Sequence, residues 1–192
     1  MHPPKSLSLK DLTCKLTFLL AILAGQRHQT LRFLDVFNMS VTIDKVKFRI
    51  GESLKHTRPG HHIPELVFPA YDIDKSLCPV TYIIQYLKVT KLIRMKESRF
   101  LVSYIKPHKR VTTSTIARWI KFILVRAKLD MSIFTPYSTR SAATSKVATN
   151  IQTSTILRTA GWSNEKTFAR FYKKKIVKEG VFAKAVLRTS RD

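Results

Sequence analysis

The sequence predicts a mainly helical α+β domain with one small three-stranded antiparallel sheet. Apolar residues recur at helical spacing near the start of the chain and again throughout its second half. Between these parts, short runs of β-branched and aromatic residues stand between turn signals. The chain has 192 residues, of which 44% are hydrophobic. This is enough for a single domain with its own core.

The first helix is expected from Leu9 to Ala24, with Ser8 as its N-terminal cap. Its stretch LTFLLAILAG follows a basic N-terminus, as in a secretory signal peptide. However, Asp11 precedes the stretch, its leucines recur at helical spacing, and it is too short to span a membrane. A helix of the folded domain is therefore favoured. A second, short helix is expected to start near Gln26 and to carry Arg27.

Three strands should follow, at Met39–Ile43, Lys45–Ile50 and Glu65–Pro69. A basic loop, GESLKHTRPGHH, separates the last two. A helix is then predicted from Pro79 to about Met95, with apolar residues at helical spacing from Tyr82 to Leu92. Thr113 or Ser114 can cap a helix through Ala127, with Ile116, Trp119, Ile120 and Ile123 inward, and Ser138 can cap another through about Asn150. Shorter helices are expected over Thr153–Ala160, Glu165–Lys174 and Val181–Leu187. The sequence shows no internal repeat, so it predicts one domain.

The charge of the chain predicts a polyanionic partner. Lys and Arg number 35 against 12 Asp and Glu, which leaves a net charge of +23. That excess is far beyond what solubility needs and points most directly to nucleic acid. A basic structural protein that binds RNA or chromatin without chemistry would have the same charge. Charge alone therefore leaves both interpretations open.

Cysteine, histidine and acidic residues give no support to a metal site. Cys14 and Cys78 form no CxxC pair and no disulfide framework, so a reducing compartment is the simpler interpretation. The six histidines lack zinc-finger spacing. A metal-dependent nuclease would need converging carboxylates, and the acidic residues are scattered, as in Asp35, Asp72, Asp74 and Glu165.

Arg140 is the most unusual cation in the chain. It lies in FTPYSTRSAATSK, among small and hydroxyl residues, in what reads as the first turn of a helix. A cation there opposes the helix dipole unless an anion is also present. The backbone N–H groups of a helix start and an arginine fork together form a phosphate site.

Four other residues each have an ordinary structural interpretation when taken alone. Arg27 could be a surface cation, Lys55 a loop lysine and Trp162 a core aromatic. Tyr172, in FARFYKKK, could be the aromatic of an amphipathic helix beside a basic cluster. In that cationic field its phenolate would also be favoured, and such an oxygen nucleophile can attack phosphorus.

The order of these residues is specific. Arg27, Lys55, Tyr137-x-x-Arg140, Trp162 and Tyr172 resemble the series of the tyrosine recombinase (phage-integrase-type) family. That series is Arg, a strand-borne Lys, His-x-x-Arg, His or Trp, and a nucleophilic Tyr. Four motifs most resemble those of the recombinases of eukaryotic DIRS-like and Ngaro-like mobile elements, namely GQRHQTL, KHTRPG, STRSAATSKV and WSNEKTFARFY. The resemblance covers about Leu12 to Lys175.

The resemblance implies a helical catalytic domain with a small three-stranded sheet, and a site that needs no metal or cofactor. Arg27 and Arg140 would clamp a DNA phosphate, Lys55 would protonate the leaving 5′ oxygen, and Tyr172 would form a 3′-phosphotyrosyl bond. Tyr137 and Trp162 would complete the catalytic set. Contacts to DNA are expected from a set of basic residues, namely Lys55, His56, Arg58, Lys146, Lys173 and Lys174.

The chain departs from the family pattern in two respects. Tyr137 stands where the family usually has His; a phenol still hydrogen-bonds phosphate but is a poorer general base near neutral pH. Only 26 residues precede Arg27, whereas the family normally has a separate N-terminal DNA-binding domain. We therefore expect residues 1–192 to be a single catalytic domain, with its core at about 9–175 and a C-terminal tail at 176–192, and the N-terminal core-binding domain to be absent.

The sequence thus predicts a site-specific DNA recombinase or integrase that acts in the nucleus on double-stranded DNA. A catalytically inactive DNA-binding remnant of a mobile-element recombinase is the main alternative, and Tyr137 and the short N-terminus favour it. The family resemblance further implies a monomer in isolation and a homotetramer on DNA, with C-terminal helices exchanged between neighbours. Val181, Phe182, Ala185 and Val186 form a short apolar stripe in that tail. No membrane association is expected.

Overall fold

Helix α1 spans Leu9–Ala24 and organises the fold. The computed structural model describes residues 1–51, 65–148, 150–162 and 165–171. The Ser8 hydroxyl accepts a hydrogen bond from the backbone N–H of Asp11 at 3.1 Å, and Gly25 ends the helix in the left-handed conformation. These bounds confirm the predicted first helix. Across the described residues, no helix combines the length and apolar character needed to cross a membrane.

The remaining elements follow the predicted order. After α1 come α2 (His28–Arg32), β1 (Met39–Val41), β2 (Lys45–Phe48), β3 (Leu66–Pro69), α3 (Pro79–Thr90), α4 (Thr113–Arg126), α5 (Ser138–Val147), α6 (Thr153–Ala160) and α7 (Glu165–Phe171), with short 3-10 turns at Pro4–Ser6 and Lys75–Leu77. The helix predicted over Val181–Leu187 lies outside the described residues.

The three strands form an antiparallel sheet in the order β1-β2-β3. Val46 in β2 lies opposite Val41 in β1 and Phe68 in β3. Strands β2 and β3 alternate between a buried side and a more exposed side, as a sheet covered on one face requires. On the buried side the Phe48 ring meets Phe100 with ring centroids 5.0 Å apart. This arrangement confirms the predicted α+β class with its small sheet.

The main core lies around α1, which packs against α3, α4 and α5. Its central leucines are fully buried, and the inward residues predicted for α4 are also buried, namely Ile116, Trp119, Ile120 and Ile123. A second, smaller cluster joins α6 to α7 through Ile156, Ala160, Trp162 and Phe168. The candidate site lies where these two clusters meet.

Two helices end earlier than the sequence predicts. The helix expected to reach Met95 ends at Thr90. The buried side chain of Arg94 ties this helix end to the segment that follows it. Its guanidinium donates to the Thr90 hydroxyl and the Phe100 carbonyl, both at 2.9 Å. Leu92 is consequently 87% exposed rather than inward-facing. Helix α5 ends at Val147 rather than near Asn150.

Two predicted caps and three strand bounds also differ. Strand β2 ends at Phe48 rather than Ile50, and β3 begins at Leu66 rather than Glu65. Thr112, rather than Thr113 or Ser114, caps α4, and its hydroxyl accepts from the Thr115 N–H at 3.2 Å. Ser138 is the first residue of α5 and not its cap, because its hydroxyl accepts from the backbone N–H of Thr135 at 3.0 Å. Strand β1 stops at Val41, since Thr42 closes the turn to Lys45.

The leucines of α1 offer a matched test of this packing. Leu16 is fully buried, whereas Leu23 is 46% exposed on the same helix. Leu16→Ala should lower the free energy of unfolding by about 2–5 kcal/mol, because it removes buried methyl groups and leaves a cavity. Leu23→Ala should change it by only about 0.5–1 kcal/mol. Urea unfolding followed by circular dichroism measures both, and equal losses would contradict the assigned burial.

Candidate active site

The C-terminal end of α6 is the structural centre of the candidate site. Gly161 follows the helix in the left-handed conformation, with φ of 71°. The backbone N–H groups of Gly161 and Trp162 both donate to the Leu157 carbonyl. The last carbonyls of a helix have no partner within the helix. Those of Thr159 and Ala160 must therefore find donors from elsewhere in the chain.

Gln26 supplies the first of these donors. It is buried, and its side-chain amide donates to the Thr159 carbonyl. The Thr30 hydroxyl in turn donates to Gln26 Oε1 at 3.2 Å. A Cβ at Gly161 would lie only 3.3 Å from that oxygen. A glycine is needed at this point both for its positive φ and for the close approach of Gln26.

Arg27 follows Gln26 directly and is the N-terminal cap residue of α2. Its side chain is half-buried. Because Gln26 is hydrogen-bonded to the end of α6, the backbone of Arg27 is held beside that helix end. Gly25, one residue before Gln26, reinforces the contact, since a Cβ there would meet Thr144 of α5 and Ala160 of α6.

Arg140 supplies the second donor. It occupies the third position of α5, is only 6% exposed, and donates from Nη2 to the Ala160 carbonyl at 2.9 Å. Its guanidinium carbon lies 3.9 Å from the centroid of the Trp162 ring. A cation near the start of its own helix is unfavourable, but here the charged group reaches the negative C-terminal end of α6. The location of this arginine therefore has a structural cause.

Trp162 connects the arginine to the small second core. The residue is 9% exposed, and its ring packs on Phe168 of α7 with centroids 5.1 Å apart. The Trp162 ring thus forms one face of the site and lies against the Arg140 guanidinium. This contact stabilises the cation and fixes its orientation. The end of α6 thus contacts Arg140 and Trp162 directly, and Arg27 through its neighbour Gln26, although these residues are far apart in sequence.

Tyr137 lies immediately before α5 and is 66% exposed. Its ring stacks on that of His28, with centroids 4.8 Å apart and an interplanar angle of 24°. His28 is the residue after Arg27 and is only 3% exposed. This contact places Tyr137 next to the start of α2. Both neighbours of Arg27 in sequence, Gln26 and His28, therefore contact other parts of the site.

His28 is held as a buried, neutral ring. Burial lowers the pKa of its imidazole, and a hydrogen bond to the Pro136 backbone opposes this only in part. Among the described residues no group partners Nδ1, which is shielded from solvent. A buried polar atom without a partner costs about 1–3 kcal/mol.

Gln26 and His28 were not singled out by the sequence. Each flanks Arg27, but neither has a residue type or spacing that marks it as functional. Their importance depends on contacts across more than a hundred residues, to Thr159 and to Tyr137. The only local signal for their role is the motif GQRHQTL, in which both residues are adjacent to Arg27.

Of the other predicted site residues, the structure describes only Lys146. Lys146 is exposed in the last turn of α5. The predicted general acid Lys55, the predicted nucleophile Tyr172 and the DNA contacts His56, Arg58, Lys173 and Lys174 lie outside the described residues. Their roles stay predictions. In the ranges that the structure describes, no three His, Cys, Asp or Glu side chains come together as metal ligands.

Solved structures with the same fold are recombinases. XerA recombinase matches with a TM-score of 0.64 and 15% identity over 100% of this chain and 65% of its own. XerH site-specific recombinase, bound to palindromic difH substrate in a post-cleavage complex, gives 0.61 and 12% over 96% of this chain and 46% of its own. A lambda integrase dimer bound to a COC′ core site gives 0.54 and 12% over 91% and 59%.

These comparisons define the fold as that of tyrosine recombinase catalytic domains, as the sequence predicted. No protein-family model and no curated protein sequence matches the chain. The chain spans less than two thirds of the length of the recombinases that it resembles. At these identities the likeness concerns the fold.

The buried imidazole predicts a pH dependence of stability. The pKa of His28 is lower in the folded chain than in the unfolded one, so the unfolded chain binds more protons between these two values. The contribution of His28 to stability should be complete above the ordinary value of about 6.5 and should fall as the pH drops from there through the folded pKa. Thermal midpoints between pH 7.5 and 5.0 measure the effect.

His28→Gln is the matched control for this measurement, because its side chain does not titrate while the other histidines stay in place. The difference in midpoint between the wild type and His28→Gln should change in favour of the variant as the pH falls. A difference that is constant across this range would show that His28 is not buried as a neutral ring.

Proposed function

We propose that this chain is the catalytic domain of a tyrosine-type enzyme for DNA strand exchange, a site-specific recombinase or integrase acting on double-stranded DNA. The proposal is supported by the contacts at the end of α6, where Gln26, the residue before Arg27, meets Arg140 and Trp162 within a fold of this class. The net charge of +23 supports a nucleic-acid partner. In two of the similar structures the recombinase is bound to DNA.

The chemistry follows from the charge of a phosphodiester. Its non-bridging oxygens are negative, and attack at phosphorus places more charge on them. Two arginines bind such oxygens in bidentate fashion and offset this charge without a metal. Arg27 and Arg140 are the proposed pair, and Trp162 both orients Arg140 through its ring and offers its indole N–H.

In the proposed reaction the Tyr172 phenol gives up its proton to solvent, its oxygen forms a bond to phosphorus, and the bond between phosphorus and the 5′ oxygen breaks. Lys55 gives the leaving oxygen its proton, which produces a 5′-hydroxyl and a 3′-phosphotyrosyl enzyme. A 5′-hydroxyl of another strand reverses the step, so no cofactor or nucleotide is consumed. We also propose that the enzyme is of the mobile-element class and acts in the nucleus. The motifs GQRHQTL, STRSAATSKV and WSNEKTFARFY support this part of the proposal.

A catalytically inactive DNA-binding remnant is the second candidate, and two observations favour it. Tyr137 occupies the place where an imidazole is usual in the family. Arg140 also stabilises the fold through the Ala160 carbonyl and the Trp162 ring, so its retention does not require catalysis. The two candidates differ in whether a covalent bond to DNA can form.

The decisive experiment traps that bond. The chain is incubated with a library of nicked duplexes of random sequence, in which the short 5′ product diffuses away and cannot reverse the step. We expect protein–DNA adducts that survive SDS, and their loss in Tyr172→Phe, which removes only the attacking oxygen. Arg27→Ala should lower adduct formation by at least about a hundredfold, as loss of a charged contact to the transition state predicts.

Duplex binding, measured by anisotropy, separates the two candidates. Tyr172→Phe should bind DNA like the wild type, and the affinity of both should fall steeply between 50 and 200 mM salt. The slope of log affinity against log salt concentration should be roughly proportional to the number of phosphates contacted. Binding without any adduct would overturn the catalytic proposal in favour of the remnant. Affinity that hardly changes with salt would contradict phosphate binding altogether.

Assembly on DNA is part of the proposal. Between the end of α1, α5 and α6 lies an apolar groove of about 170 Å³. Ile151 lines it and is 44% exposed. We propose that the apolar stripe of the tail, Val181 to Val186, binds this groove on a neighbouring copy, because both are apolar. Exchange of this kind is heterologous and closes into a ring. We therefore propose a monomer in isolation and a homotetramer on DNA.

Removing Val181–Asp192 should abolish multimeric complexes on DNA while binding of one copy to a duplex survives. Ile151→Asp should have the same effect, because it places a charge in the groove. Ile84→Asp is the control, since Ile84 is 49% exposed on α3 and does not line the groove. Native gel shifts and sedimentation measure both outcomes. A deletion that unfolds the isolated chain would show that the tail belongs to its own core.

A further inference from the structure

His28 and Tyr137 form a pair in which one ring is hidden and the other is exposed. His28 is 3% exposed, and Tyr137 is 66% exposed. The two rings are nearly parallel with centroids 4.8 Å apart, so the buried imidazole packs against one face of the phenol ring. The phenol hydroxyl is the chemically active end of the exposed ring. The contact thus fixes a reactive group at the surface, beside Arg27, and not in a closed core.

Packing alone does not account for an imidazole at this position. An apolar ring would fill the same space and support the same stack, without leaving Nδ1 unpartnered among the described residues. The imidazole adds one property that an apolar ring lacks, which is the hydrogen bond to the backbone of Pro136, the residue before Tyr137. His28 therefore holds both the ring of Tyr137 and the backbone that carries it.

We infer that His28 is a positioning residue of the site: its ring, stacked on Tyr137 and hydrogen-bonded to the Pro136 backbone, directs the phenol hydroxyl toward the DNA phosphate that Arg27 and Arg140 bind. This inference rests on the proposed function. His28 itself does not touch the DNA, because its ring is buried. Tyr137 donates one hydrogen bond to a phosphate oxygen.

The inference explains how a tyrosine can stand where an imidazole is usual. A phenol on an unsupported turn would sample many rotamers, and fixing it on binding would cost entropy. Stacking against a rigid, buried ring removes most of that freedom beforehand. The hydroxyl is then available in one place, as an oxyanion contact must be. The imidazole lies one layer below the phosphate instead of touching it.

A double-mutant cycle on adduct formation tests the inference, with a duplex selected by the wild type from the nicked library. Tyr137→Phe keeps the stacked ring and removes the hydroxyl, so it should slow adduct formation about tenfold to a hundredfold, as loss of a hydrogen bond to a charged group predicts. His28→Gln removes the stack and should cause a similar loss. In the Tyr137→Phe background, His28→Gln should cause no further loss. Multiplying effects would overturn the inference.

Two further variants separate positioning from stability. His28→Phe keeps the stack but loses the bond to Pro136, and should retain more activity than His28→Gln. His108→Asn is the control, because the His108 ring also meets a backbone carbonyl, that of Ser103 at 2.9 Å, outside the candidate site. It should leave adduct formation unchanged. Equal loss in all three histidine variants would reduce the role of His28 to stability and overturn the inference.

A measurement independent of catalysis distinguishes failure of this inference from failure of the proposed function. In protein with 13C-labelled tyrosine rings, the Tyr137 signal is assigned by its absence in Tyr137→Phe. It should be displaced by the ring current of His28, and should return to the position of a free tyrosine in His28→Gln. If the wild type forms no adduct but this displacement is found, the proposed function fails and the positioning stands. An unchanged signal in His28→Gln overturns the positioning, whatever the activity.

Discussion

The candidate site depends on one constraint: the last carbonyls of α6 have no hydrogen-bond donor within their own helix. A helix end buried in a protein must find donors, and here they come from Gln26 and Arg140, residues 114 positions apart in the chain. Satisfying two adjacent carbonyls forces the start of α2 and the start of α5 to meet. The left-handed Gly161 turns the chain so that Trp162 lies against the same guanidinium. The demands of backbone hydrogen bonding thus bring Arg140 and the segment that precedes Arg27 to the same helix end.

Much of the fold was predictable because its signals are local. Ser8, the leucines after it and Gly25 specify α1 through capping and periodicity, and the structure follows them residue by residue. The prediction was wrong where a distant contact overrides the local pattern. Arg94 ends α3 early because its guanidinium bonds carbonyls in a later segment, and that partner cannot be found from helical spacing. Leu92, placed inward by periodicity, is exposed for the same reason.

The candidate site was predictable only as an ordered set of residue types. Order along the chain suggested Arg27, Arg140 and Trp162, but the physical reason for their meeting lies in hydrogen bonds that the sequence does not contain. Helix-dipole reasoning recognised that Arg140 is unusual and assigned the compensating negative charge to a phosphate. In the folded chain, the end of α6 supplies part of that compensation. Gln26 and His28 could not be found, because ordinary residue types become important only through their partners.

The structural role of the Arg140 guanidinium has a consequence for the proposed chemistry. Arg140 is almost fully buried, so its orientation is set before any ligand arrives. A preorganised charge loses little entropy on binding and needs no rearrangement as negative charge develops on phosphorus, which is the condition for stabilising a transition state more than a ground state. Arg27, half-buried at the start of a short helix, is less restrained. The two arginines therefore differ in burial: Arg140 is a fixed part of the core, whereas the side chain of Arg27 reaches the solvent. In the proposed clamp, Arg140 would therefore be the rigid member, and its fixed place in the core would set the position of a bound phosphate.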